Sequence, residues 1–183
     1  MLGKWKIKET TLHSDCKIFK VNRSKRQSET SGFEQDFYIL EGGNWVNVIP
    51  VTPDGKIVMV RQFRHGTQTE TLELPGGGFN RGENAIEAGS RELLEETGFS
   101  ADEYIQIGFN HPNPAIQSNK CYTVLALNAV KKHSQNLDPA EEIEIELIPL
   151  SEIEFMIQNE TITHALVIVA FFHYQLYQKK LSK

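Results

Sequence analysis

Apolar and polar residues alternate with a two-residue period in several short stretches, the pattern of half-buried strands. Residues 5–8 (Trp-Lys-Ile-Lys) alternate strictly, and 16–21 and 33–40 are further strand candidates. Between the last two, residues 22–32 are polar, so a solvated turn is expected there, carrying Arg23, Lys25 and Arg26. Residues 45–52 and 56–63 flank Pro53-Asp54-Gly55, a turn triplet that predicts an antiparallel hairpin. Pro50 lies inside the first of these strands and predicts an edge or a bulge, because it has no N–H to offer a neighbour. Shorter strands are expected at 71–74, 104–109, 121–129 and 144–150. Helical periodicity appears at 85–97 and 163–180, the latter predicted to turn Leu166, Val169 and Phe172 inward. Ser151 is placed to cap a short helix, and the 110–120 loop, with His111, Pro112 and Pro114, is long enough to be functional. Helices packed on a mixed sheet are the expected α/β architecture.

The 85–97 segment carries the chemistry. Asn84 followed three residues later by Glu87 forms a capping-box start, and Gly98 is the expected stop, with Gly89 the one weak helix former between them. Glu92, Glu95 and Glu96 are then spaced three and four apart, so their carboxylates share a face. Two of them fall in the last turn, where the helix dipole disfavours anions. A solvated acidic face is the usual meaning of such a segment. Here a glycine run, Gly76-Gly77-Gly78, precedes it and Arg91 sits within it, which points instead to a bound divalent cation. Oxygen ligands without His or Cys suit Mg²⁺, with Mn²⁺ the alternative.

From Gly77 the order is five residues, Glu83, seven residues, then Arg91-Glu92-Leu93-Leu94-Glu95-Glu96-Thr97-Gly98-Phe99. This resembles the signature of the Nudix hydrolases, G-x5-E-x7-R-E-U-x-E-E-x-G-U, at every specified position. The resemblance implies an α/β/α sandwich and hydrolysis of a nucleoside diphosphate linked to another group. It implies metal ligation by Glu92, Glu95 and Glu96, with the Gly76 carbonyl completing the shell, and a structural ion pair between Glu83 and Arg91.

Val60-Arg61-Gln62-Phe63-Arg64-His65 and Glu73-Leu74-Pro75-Gly76-Gly77 are similar to segments of the ADP-ribose and ADP-sugar pyrophosphatases within that family. By that resemblance residues 1–42 form an N-terminal β extension that serves dimerisation, and 43–183 the catalytic domain. Pro114, with Pro112 competing, stands near that group's marker proline. One of Arg61 and Arg64 is expected to meet substrate and the other to pair with Glu73. On alternation alone, Gln62 and Arg64 face one side and Arg61 the other. The catalytic base is Glu95 or an acid of the 137–144 loop, where Glu141 aligns best beside Glu142 and Asp138; Glu92 and Glu141 also join the catalytic and metal sets. His65 and His111 are left outside them. The implied reaction splits ADP-ribose or a related sugar nucleotide into nucleoside monophosphate and sugar phosphate, in a homodimer. A triphosphatase acting on free nucleotides and a non-catalytic nucleotide-binding regulator are the rival readings.

Composition narrows the partners. The chain has 183 residues and a net charge of −5, which argues against nucleic acid. Its longest apolar run, 165–172, is short of a membrane span. Cys16 and Cys121 are too few for a disulfide framework, and the N-terminus lacks a signal-peptide core, so the cytoplasm is the expected location.

Overall fold

The computed structural model describes residues 3–182 and divides into two compact units. One runs to Gly43 and takes in His111–Lys120; the other holds Asn44–Asn110 and the chain from Cys121 onward.

The first unit is an antiparallel meander of β1 (Trp5–Asp15), β2 (Phe19–Ser28) and β3 (Glu34–Gly42). The polar stretch expected as a turn at 22–32 is instead mostly strand, continuing to Ser28. Two of its three basic residues are paired across the sheet, Arg23 with Asp36 at 2.8 Å and Lys25 with Glu34 at 3.0 Å. Opposite charges placed diagonally on adjacent strands stabilise a strand that has little hydrophobic signal of its own. The 111–120 segment joins this unit through the Leu40 N–H, which donates to the Ile116 carbonyl at 2.7 Å.

The second unit is built on β4 (Trp45–Val51), β5 (Lys56–Arg64), β6 (Thr69–Glu73), β7 (Gly76–Gly78), β8 (Phe99–Ser100), β9 (Glu103–Asn110), β10 (Cys121–Leu127), β11 (Val130–Lys131) and β12 (Ile143–Pro149). Its main sheet has the order β12-β5-β4-β10-β9, with β6 added to β5 and β7 to β4, while β8 and β11 form a separate pair. Only the β4–β10 pairing of this sheet is parallel. The helices are α1 (Ala85–Thr97), α2 (Ile153–Gln158) and α3 (Ala165–Leu181). Strand alternation gives the sheet two apolar faces. Val46, Val48, Val58 and Val124 pack with Ala85, Ala88 and Leu93 of α1. Ile49, Ile57, Met59 and Leu125 pack with Val167, Ala170 and Phe171 of α3. The result is an α/β/α sandwich with a mixed sheet.

Three further expectations are corrected. Pro50 lies in a central strand whose register with β10 is unbroken, neither at an edge nor in a bulge. On the other side of β4, pairing passes from β7 at residues 45–47 to β5 at Val51, so Pro50 falls in the gap between partners and its missing N–H costs nothing. Ser151 sits in a 3₁₀ turn (Leu150–Glu152), and α2 begins at Ile153 without a side-chain cap. The inward stripe of α3 is Val167, Ala170 and Phe171, and Phe172 is 59% exposed. Apolar residues surround most of this helix, so periodicity alone left its rotation undetermined.

Gly98 closes α1 with φ 72°, donating to the Leu94 carbonyl at 2.8 Å while its own carbonyl accepts the Lys132 and His133 N–H groups. A Cβ there would stand 2.0 Å from the His133 carbonyl oxygen. Gly98→Ala is therefore expected to destabilise the protein by about 2 kcal/mol or more, from left-handed strain plus the clash. Urea unfolding of the variant against the parent protein measures it.

Candidate active site

Three glycines, one helix and one loop form a cavity of about 310 Å³. The glycines of β7 lie along the first half of β4, in the register Trp45 to Gly78, Val46 to Gly77 and Asn47 to Gly76. Two of the three glycines leave space that a neighbour fills. A Cβ on Gly76 would stand 2.0 Å from the Val46 carbonyl oxygen, and one on Gly77 would strike the Glu92 carboxylate at 2.4 Å. At Gly76 the neighbour is backbone, and at Gly77 the missing side chain is what lets the Glu92 carboxylate come close.

The sequence folds α1 into place through the expected capping box. The Asn84 side chain accepts from the Ile86 and Glu87 N–H groups at 2.9 and 3.0 Å, and the Glu87 carboxylate accepts the Asn84 N–H at 2.9 Å. Arg91 then ties helix to loop. Its Nε and Nη2 donate to Glu83 at 2.8 and 2.9 Å, and Nη2 also reaches the Gly78 carbonyl at 2.9 Å. Its Nη1 bridges Glu92 at 2.8 Å and Glu95 at 3.0 Å. This guanidinium, hydrogen-bonded from the side, holds the Glu83 carboxyl down to about 2.

Glu96 has the opposite environment. It is 4% exposed and accepts the Gly76 N–H at 2.9 Å, and burial pushes its carboxyl up to about 8. Burial also raises Glu92. The last turn of α1 is pinned from outside by Gln135, whose side-chain amide donates to the carbonyls of Glu96 at 2.7 Å and Ile143 at 3.1 Å.

The remaining wall comes from β5 and the 136–141 loop. Gln62 and Arg64 line the cavity. Arg64 is clamped by buried Glu73 through two bonds, at 2.7 and 2.6 Å, and Thr71 donates to the same carboxylate. These donors keep the Glu73 carboxyl below its ordinary range despite burial. Arg61 points to β12, where it pairs with Glu146 at 2.6 Å, and does not line the cavity. Glu141 and Asp138 do line it, and the Asp138 N–H donates to the Glu141 carboxylate at 3.0 Å. Pro114 is an exposed residue of the 111–120 segment, in the other unit.

Among the candidate residues, the cavity thus gathers Gly76, Arg64, Glu92, Glu95, Glu96 and Glu141, with Glu73 holding Arg64 from behind. Trp45, Gln62 and Asn136 also line it and were not singled out from sequence. Strand alternation had put Gln62 beside Arg64 and could have found it; nothing local marks Trp45 or Asn136.

Five acids (Glu92, Glu95, Glu96, Asp138, Glu141) face two arginines here, and both arginines already have carboxylate partners. No His or Cys lines the wall. Such a donor set suits a hard divalent cation. Among the described residues no three acidic, His or Cys side chains are drawn together closely enough to hold an ion as they stand. Glu92 and Glu95 are instead gathered by Arg91.

Comparison with known proteins places this cavity in context. Residues 44–170 match the NUDIX domain. An ADP-ribose pyrophosphatase of Bacillus subtilis (strain 168) is 30% identical over 132 residues, 72% of this chain and 71% of its own length. A methanol dehydrogenase activator of Bacillus methanolicus is 28% identical over the same shares. A crystal structure of an ADP compounds hydrolase superposes with a TM-score of 0.87 at 22% identity, covering 99% of this chain and 97% of the other. That last likeness speaks to the fold.

The raised Glu96 carboxyl sets a pH dependence in the metal-free protein. Between its ordinary 4.5 and about 8, the folded chain retains a proton that the unfolded chain has released, so stability falls as pH rises through that window. Glu83 works in the other direction: its contribution is full above 4.5 and is lost as pH falls toward about 2. With chelator present, the urea midpoint is expected to drop between about pH 5 and about pH 8, and Glu96→Gln to flatten that drop.

Proposed function

The chain belongs to the Nudix hydrolase family, and from that membership we propose that it hydrolyses ADP-ribose or a related nucleoside diphosphate sugar, with Mg²⁺ or Mn²⁺, to nucleoside monophosphate and sugar phosphate. The observation that carries the proposal is the convergence of Glu92, Glu95, Glu96 and Glu141 with the glycine strip and Arg64 in one cavity. The named activity of the Bacillus subtilis relative supports the substrate class.

Glu92, Glu96 and the Gly76 carbonyl are assigned to hold the cation, with Glu95 and Glu141 able to complete its shell. Bound there, the cation supplies Lewis acidity toward the diphosphate and neutralises the acidic wall. Arg64 stands ready for the substrate phosphates. Its clamp by Glu73 fixes the guanidinium plane and leaves donors over, a preorganised anion contact.

Glu141 is the assigned base for the attacking water. Glu95 is already engaged by Arg91 at 3.0 Å, in the contact that ties the helix to the glycine strip. Glu141 accepts a backbone N–H from Asp138 instead. Its loop position lets it approach the substrate after binding.

The three-stranded N-terminal sheet is assigned to dimerisation. Every residue of β1 is exposed, and among the described residues its outer edge has no strand partner. No described helix is long and apolar enough to cross a membrane, in keeping with action in the cytoplasm.

A panel of ADP-ribose, ADP-glucose, GDP-mannose, UDP-glucose and nucleoside triphosphates, each with Mg²⁺ and with chelator, tests the reading. Chelator-sensitive cleavage of a sugar nucleotide is expected. Preference for triphosphates, or binding without turnover, would overturn it in favour of a housecleaning enzyme or a regulator. Glu92→Gln and Glu96→Gln should each lower kcat by a hundredfold or more, roughly 3 kcal/mol of transition-state stabilisation. Glu141→Gln should cost about 10²–10⁴-fold, and more than Glu95→Gln.

A further inference from the structure

We infer that Gln135 is the positioning residue that holds the loop acid Glu141 at the cavity, an inference that rests on the hydrolase reading above. β11 ends at Lys131 and β12 begins at Ile143, and the chain between them passes the C-terminal end of α1 without forming helix or strand. The last carbonyls of a helix have no intrahelical donor, and this stretch supplies donors from outside. The Lys132 and His133 N–H groups meet the Gly98 carbonyl at 2.9 and 3.1 Å, and the Asn136 N–H meets the Glu95 carbonyl at 2.8 Å. For the Glu96 carbonyl the donor is a side chain, the Gln135 amide, at 2.7 Å.

The same nitrogen also donates to the Ile143 carbonyl at 3.1 Å, at the first residue of β12. A glutamine amide nitrogen carries two donors, and both are used here, one on the helix and one on the strand. One side chain therefore pins the two ends of residues 136–142 to each other and to the last turn of α1. Glu141 hangs from this loop. The Asp138 carbonyl accepts the Glu141 N–H at 2.9 Å, and the Asp138 N–H donates to the Glu141 carboxylate at 3.0 Å. The turn is closed on itself, so the place of its carboxylate is set by where the loop ends are held.

The groups assigned to substrate and cation have supports of their own. Arg64 is fixed by Glu73, the glycine strip by its pairing with β4, and Glu92 and Glu95 by Arg91. Loosening the loop end thus leaves binding intact and moves Glu141 out of reach of the attacking water. A general base displaced by about 1 Å loses much of its effect, so the loss falls on turnover. Its upper bound is the loss caused by removing the base itself.

Gln135→Ala and Gln135→Met both remove the donors, the second at nearly the original length. Each should lower kcat for ADP-ribose by about tenfold to a hundredfold and leave KM unchanged. Combined with Glu141→Gln, each should cost nothing further, because the group they misplace is already gone. Losses that multiply across the two sites would overturn the inference, placing the effect in the last turn of α1. So would a parent-like kcat in Gln135→Met, which would make the side chain a packing element, or a rise in KM alone. Hydrogen exchange on the full-length protein reads the loop without turnover. The 137–142 amides should exchange about tenfold faster in both variants, with the first turns of α1 at the parent rate. Unchanged exchange in the loop overturns the inference. A parent protein that cleaves no sugar nucleotide, with the loop still loosened in the variants, would overturn the hydrolase reading and leave Gln135 as the anchor of the loop. Cleavage by the parent, with kcat and exchange unmoved by substitution, would do the reverse.

Discussion

The five N–H donors of Arg91 make five contacts, with Glu83, Glu92, Glu95 and the Gly78 carbonyl. Through them a helix dense in glutamates is tied to the loop and to the end of a strip of glycines with no side chains of their own. Without that guanidinium, Glu92, Glu95 and Glu96 would repel one another across a single helical turn whose dipole already disfavours two of them. Arg91 relieves the outer part of this repulsion and leaves the inner part standing. Glu96 is buried and bonded to a backbone N–H, and among the described residues no cationic side chain pairs with it. That buried carboxyl is where a divalent ion gains most, because an ion taking the place of its proton would offset the desolvation that holds it protonated.

The main sheet supports this arrangement by leaving a gap in β4. That strand is satisfied by β10 along its whole length, but on the other side it takes β7 first and β5 only at its far end. The glycine strip can therefore dock as a short extra strand beside a strand that is otherwise central. Pro50 sits at the changeover, where a donor would have had no strand to receive it. The Val48 N–H is met there by the Pro75 carbonyl at 2.9 Å, so the gap carries no buried orphan at that position.

Where sequence reasoning succeeded and where it failed separate along physical lines. The capping box at Asn84 and Glu87, the stop at Gly98 and the shared face of Glu92, Glu95 and Glu96 depend on neighbours within a few residues, and all appear in the structure. The extension of β2 to Ser28 did not show, because its support is a set of charged partners on β3 that sequence cannot align in register. The rotation of α3 did not show because a helix apolar on nearly every side contains no preferred face until a sheet is laid against it. For the arginines, alternation put Arg64 and Gln62 on one side and Arg61 on the other, but which of them meets Glu73 is a property of the β5–β6 pairing.

What the sequence determined by itself was therefore local and chemical: the start, stop and acidic face of α1, the oxygen character of its donors, the glycine strip before it and, through their spacing, the family. Tertiary structure decided what those groups meet. It set Glu96 under Gly76 and out of water, gave Arg64 to Glu73 and Arg61 to Glu146, and brought Trp45, Gln62 and the 136–141 loop to the cavity from three separate stretches of chain. The reason is one of range. Caps and same-face spacings follow from bonds three or four residues long, whereas burial, and the carboxyl shifts it produces, depends on segments that only the folded sheet places side by side.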